Sequence, residues 1–115
     1  MPTALIIEDE ALIALDLQTE LENLGIDVLG IARTGDEALR LLRGGDPDLA
    51  VVVLMLNGSA GGARIAEALR ARGVKVLIVS GGDAAQAARN GHAFLSKPWS
   101  RDDLNRAIGA LTAAA

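Results

Sequence analysis

Residues 49–56 read Leu-Ala-Val-Val-Val-Leu-Met-Leu, with no polar side chain among them. Alternate residues of a strand point to opposite faces, so a run apolar at every position has to be covered on both sides. Such a strand belongs at the centre of a parallel sheet with helices on each face. Short apolar runs at residues 4–7, 28–31, 74–79 and 93–95 supply further strands. Helical spacing fills the gaps between them. Over 11–24 the leucines Leu12, Leu15, Leu17, Leu21 and Leu24 recur at mostly helical intervals, and Gly25 is the stop. Thr34 with Glu37 predicts a capping box opening a helix through Leu42, ended by Gly44-Gly45. Further helices are expected over 63–72 and 83–90, and from a Ser100/Asp103 cap toward residue 113.

Strict alternation of five strands with five helices predicts an α/β fold. It is a doubly wound, five-stranded parallel sheet in the flavodoxin-like order 2-1-3-4-5, with right-handed crossovers. The length of 115 residues suits one domain spanning 1–115, and a half-hydrophobic composition can supply its core. A net charge of -4 and only two aromatics, Phe94 and Trp99, argue against a nucleic-acid surface. Without cysteine there is neither a disulfide framework nor a thiolate metal site. No basic leader precedes the first strand, and no apolar run approaches the ~20 residues of a membrane span. A soluble, cytoplasmic protein is the expectation.

In such sheets ligands bind beyond the carboxyl ends of the strands, near the switch between strands one and three. The residues there are Glu8, Asp9 and Glu10 after strand one, Val53 to Asn57 late in strand three, Ser80 after strand four, and Lys97-Pro98 after strand five. Acids, a hydroxyl and a lysine on one edge suit a divalent cation with a phosphoryl group. These segments also resemble a known family. Leu-Ile-Ile-Glu8-Asp9-Glu10, Pro47-Asp48-Leu49, Val79-Ser80-Gly81 and Phe94-Leu-Ser-Lys97-Pro98 are similar to the successive signatures of bacterial two-component response-regulator receiver domains, CheY-like proteins, along essentially the whole chain. The resemblance implies that Glu8 and Asp9 help hold Mg²⁺, with the backbone carbonyl of Met55. It makes Ser80 the switch hydroxyl, Lys97 the phosphate-binding lysine, and Phe94 the aromatic that changes rotamer on activation. It also implies a cis peptide before Pro98.

The departure is at the centre. Counted from Pro47-Asp48-Leu49, the phosphate-accepting aspartate should stand at position 53, where this chain has Val53. Asn57 stands where the family commonly has proline. Valine offers neither a nucleophile nor a metal ligand, so any Mg²⁺ site is weakened or lost and no cofactor is required. Asp48 belongs to the opposite edge of the sheet, and Ser59 has no histidine beside it as a base. Plainer readings exist for single residues. The acids could be a solvated helix N-terminus, Ser80 and His92 turn residues, Lys97 a surface lysine, Phe94 edge core and Val53 simple strand packing.

The reading that absorbs all four motifs is a non-enzymatic receiver of phosphorelay signalling that acts through protein contacts. A conventional receiver carrying a site variant is the alternative. A flavodoxin-like cofactor carrier would need a hydroxyl- and glycine-rich loop after strand one, where this chain is acidic. A phosphohydrolase would need an aspartate nucleophile there that Glu8-Asp9-Glu10 does not match. Expected partners are a histidine kinase, a phosphotransfer protein or an adaptor. Through residues 83–113 either a homodimer or a kinase or adaptor contact is expected, since the small side chains at 84–88 lose little entropy on contact.

Overall fold

The computed structural model describes residues 2–54, 56, 61–80, 93–96 and 99–113. Its elements run β1 (Thr3–Ile7), α1 (Ala11–Asn23), β2 (Asp27–Ala32), α2 (Gly35–Leu42), β3 (Leu49–Val53), α3 (Gly61–Ala71), β4 (Lys75–Ser80), β5 (Ala93–Ser96) and α4 (Arg101–Ala113). The five strands form one parallel sheet in the order β2-β1-β3-β4-β5, as the alternation of elements predicts. The two-sided apolar run is its centre: β3 is buried at every position, with β1 and β4 on either side. The helix expected over 83–90 lies outside the described residues. Among the described residues, no helix is long and apolar enough to cross a membrane.

The sheet divides the core in two. On one face Leu5, Ile7, Ala50, Val52 and Ile78 pack against Ala38 and Leu42 of α2 and Ala66 and Leu69 of α3. On the other, Ala4, Ile6, Val51, Leu77 and Val79 pack against Ala14, Leu17 and Leu21 of α1 and Leu104 and Ile108 of α4. Two caps legible in the sequence are formed. The Thr34 hydroxyl accepts the Glu37 N–H at 3.1 Å, and the Glu37 carboxylate accepts the Arg33 N–H at 2.8 Å. At α4 the exchange is reciprocal: the Ser100 hydroxyl accepts the Asp103 N–H at 3.0 Å, and Asp103 accepts the Ser100 N–H at 3.1 Å. Gly25, at φ 81°, ends α1 in a conformation other residues rarely adopt.

Three expectations need correction. The buried stripe of α1 is Ala14, Leu17, Glu20 and Leu21, whereas Leu12 and Leu15 are 84% and 54% exposed. Steps of three and four keep positions 14, 17 and 21 on one side of the helix, and 12 and 15 fall off that side. The regular ladder of the third strand stops at Val53 rather than running to Leu56. The Leu54 N–H still bonds the Val79 carbonyl at 2.9 Å, and the Leu54 carbonyl accepts the Gly62 N–H of α3 at 3.1 Å. That contact also starts α3 at Gly61, two residues ahead of the expected 63. Lastly, β2 is longer than 28–31 and carries a bulge. Ala4 faces Val28 while Leu5 faces Gly30, leaving Leu29 as the extra residue.

Candidate functional site

The β1–β3 register pairs Ile7 with Val52, so its next rung sets Glu8 beside Val53. Val53 pairs in turn with Val79, and Ser80 with Ser96. Glu8, Asp9, Val53 and Ser80 therefore come to one edge of the sheet, across its three central strands. Asp48 stands at the other edge, where its carboxylate accepts the Thr3 N–H at 2.8 Å and the Thr3 hydroxyl at 3.3 Å. It ties the starts of β1 and β3 together and is remote from the candidate site. Met55, Asn57, Ser59, His92, Lys97 and Pro98 lie outside the described residues.

Glu8 is no solvated helix end. It is 1% exposed, its N–H extends the β1–β2 ladder to the Ala32 carbonyl at 2.9 Å, and its Oε2 accepts the Glu10 N–H at 3.3 Å. Asp9 is half-buried, and its carbonyl accepts Nη2 of Arg33 at 3.5 Å. Ser80 is buried at the last position of β4. Phe94, at 38% exposure on the outermost strand, is only partly covered and is not the edge core of the plainer reading.

Position 53 is filled by hydrocarbon. Val53 is 5% exposed and belongs to the core cluster with Leu5, Ile7, Val52, Leu56 and Ala66. Directly behind it the backbone is in tight contact with α3. A Cβ added at Gly62 would stand 1.9 Å from the Val53 carbonyl oxygen and 2.7 Å from that of Leu54. The first turn of α3 thus seats on the end of β3 only because residue 62 has no side chain. Gly62 is a site-shaping residue that precedes the helix expected over 63–72, and the Gly61-Gly62 pair is its one signal in the sequence. A second such group is Glu20, buried in the α1 stripe, whose carboxylate lies 3.2 Å from Nε of Arg101 at the start of α4. It joins α1 to the segment that follows β5. An acid recurring three residues after Leu17 was the visible hint.

These donors do not suit a hard divalent cation, which wants near-octahedral oxygen ligation. Position 53 offers two methyl groups in place of a third carboxylate. One oxygen of Glu8 already accepts a backbone N–H. Among the described residues, no three His, Cys, Asp or Glu side chains group as a metal site. Nor is there a nucleophile at position 53 for phosphoryl transfer.

Comparison with known proteins gives the family of the fold. Residues 4–109 match the response regulator receiver domain family. The transcriptional regulatory protein PdtaR of Mycobacterium tuberculosis is 36% identical over 109 residues, which is 90% of this chain and 53% of that protein. The phyllosphere-induced regulator PhyR of Methylorubrum extorquens is 38% identical over 78 residues, 66% of this chain and 29% of that protein. The chain thus spans about half or less of the length of these curated relatives. Among solved structures, the signal receiver domain of a modulated diguanylate cyclase from Desulfovibrio desulfuricans G20 superposes with a TM-score of 0.83 at 34% identity, covering 96% of this chain and 93% of that one. With a matching sheet order and Glu8, Asp9 and Ser80 at one sheet edge, this chain belongs to the response regulator receiver domain family of two-component signal transduction.

Proposed function

We propose that this receiver is a non-enzymatic, cytoplasmic signalling module that cannot accept a phosphoryl group at position 53 and transmits its signal through protein contacts. The observation that carries the reading is the burial of Val53 in core packing at the rung next to Glu8. An acyl phosphate forms on a carboxylate oxygen, and no such atom stands there. The residual polar groups Glu8, Asp9 and Ser80 then shape an edge rather than a reaction centre, and Mg²⁺ is not required. Lys97 and the carbonyl of Met55, which the family resemblance assigns to the same remnant, lie outside the described residues. A histidine kinase, a phosphotransfer protein or an adaptor is the partner class, and the face at 83–113 serves either such a contact or a homodimer. Within that region, β5 exposes three of its four positions, Phe94 among them.

Incubation with acetyl phosphate and Mg²⁺ tests the reading. Intact-mass spectrometry should show no added phosphoryl mass; a hydroxylamine-labile phosphoryl adduct would overturn it.

A further inference from the structure

The β1–β2 ladder ends by setting a base beside the acids of the sheet edge. The Glu8 N–H donates to the Ala32 carbonyl at 2.9 Å, so the two chains leave the sheet side by side, Asp9 after β1 and Arg33 after β2. Arg33 is held at both ends. Its backbone N–H donates to the Glu37 carboxylate at 2.8 Å, within the cap of α2, and its Nη2 reaches back to the Asp9 carbonyl at 3.5 Å. The guanidinium is thus brought to the β1–α1 turn, well inside the ~10 Å over which salt leaves charges unscreened. The surroundings are acidic: residues 1–39 hold nine Asp and Glu and one base, Arg33. Glu20 has its partner in Arg101, and Glu37 is engaged by the cap. Glu10 and Asp36, the other acids of the two loops, are exposed to water. Glu8 is 1% exposed and Asp9 half-buried, so water offsets their charge less well.

We propose that Arg33 is an internal counter-ion for this edge: its guanidinium supplies positive charge to Glu8 and Asp9 and holds the β1–α1 turn to the β2–α2 loop. Such a role rests on the edge taking neither a phosphoryl group nor a metal, as proposed above, and names what offsets its charge instead. A cation from solution comes and goes with its concentration, whereas a guanidinium tethered by the α2 cap is always present. The edge is thereby one standing surface, which Mg²⁺ does not remake. The Asp9 carbonyl that accepts Nη2 is uncharged, and a backbone bond by itself would act whatever stood at the Asp9 side chain. A counter-ion acts through the carboxylates, so its contribution depends on the Asp9 charge and on salt. That dependence separates the two roles.

A double-mutant cycle between Arg33→Gln and Asp9→Asn, read as urea midpoints in EDTA, tests this. EDTA leaves only the chain's own charges to offset the acids. Arg33 is exposed and Asp9 half-buried, so all variants should keep the wild-type circular dichroism. Glu8 is too buried to replace without other losses. At low salt Arg33→Gln should lower the midpoint by about 0.2–0.5 M, the range of a partly screened charge pair. Arg33→Lys keeps the charge and should lose less than half of that. In the Asp9→Asn background, and again in high salt, the loss from Arg33→Gln should fall to less than half. An Arg33→Gln midpoint equal to that of the wild type at low salt would overturn the proposal. So would a loss of one size in both backgrounds, or one that salt leaves unchanged, since Arg33 would then be a backbone strap alone. Lys97→Gln is carried through the same cycle, and coupling to Asp9 found for Lys97 and not for Arg33 would give the role to Lys97. Phosphoryl uptake from acetyl phosphate is measured on the unaltered chain, so a failure of that reading is told apart from a failure of the cycle.

Discussion

Single residues at the carboxyl edge carry most of what is unusual about this receiver, and three substitutions test that. Val53→Asp would bury a carboxylate beside Glu8, itself 1% exposed, where two methyl groups now pack. Like charges brought together in a desolvated place cost about 1–3 kcal/mol. Urea denaturation should show that loss, and millimolar Mg²⁺ should recover part of it for the variant and little for Val53 itself, because only the variant offers a third carboxylate. The variant should also gain phosphoryl mass slowly from acetyl phosphate. A melting temperature of Val53→Asp indifferent to Mg²⁺ would mean that position 53 does not face Glu8 and Asp9. Gly62→Ala places a Cβ 1.9 Å from the Val53 carbonyl oxygen. Backbone cannot yield as a flexible side chain does, so the cost should be about 3 kcal/mol or more, read as a lowered urea midpoint. Gly30→Ala is the control. Its Cβ would meet the side chain of the exposed Leu41, with the Cδ atoms at 3.0 and 3.1 Å and Cγ at 3.6 Å, so the change should stay within about 1 kcal/mol.

At the scale of elements, the caps decide where helices begin. Ser100→Ala removes the acceptor for the Asp103 N–H at the start of α4, and should cost about 1 kcal/mol in chemical denaturation. Asp103 gives this cap a pH dependence. The Ser100 backbone N–H foremost, then its hydroxyl, and Arg106 after them hold the Asp103 carboxyl below its ordinary value. A depressed folded value means the contribution is complete above the ordinary carboxylate range and fades as pH falls through the folded value. The stability gap between wild type and Asp103→Asn should accordingly be constant near neutrality and narrow in the acid limb. Denaturation curves at stepped pH check this; a gap that widened on acidification would refute the assignment. The edge strand β2 shows the opposite kind of device. Its bulge at Leu29 interrupts the flat ladder that would invite edge-to-edge pairing. Apolar side chains can therefore remain half-exposed there without making the strand a template.

For the whole molecule, the sheet is the partition. It separates the α2–α3 core from the α1–α4 core, and β3 contributes to both. Trp99 packs against the α1–α4 cluster, at the junction of β5 and α4, and reports on the side that holds the last strand. If the shared strand couples both layers, unfolding in urea should be a single transition, with the Trp99 fluorescence midpoint matching that of far-UV circular dichroism. An earlier fluorescence midpoint would show the β5–α4 side releasing first.

Much of this architecture is fixed by local pattern. An all-apolar run at 49–56 has to be central, and alternation of strands with helices allows few topologies, so the order β2-β1-β3-β4-β5 follows from the chain itself. Side-chain caps act over three residues, so Thr34–Glu37 and Ser100–Asp103 are legible too. So is the absence of an acid at position 53. Distant contacts decided the rest. Leu12 and Leu15 look like core by spacing, but which side of α1 meets the sheet depends on how Ala14, Leu17 and Leu21 fit β1 and on Arg101 receiving Glu20 from 81 residues away. The end of β3 and the start of α3 depend on the Leu54–Gly62 contact, whose close approach no periodicity encodes. The burial of Glu8, and with it the character of the whole edge, is likewise set by β2 and β3 closing around β1, since burial is a property of neighbours that a sequence names but does not place.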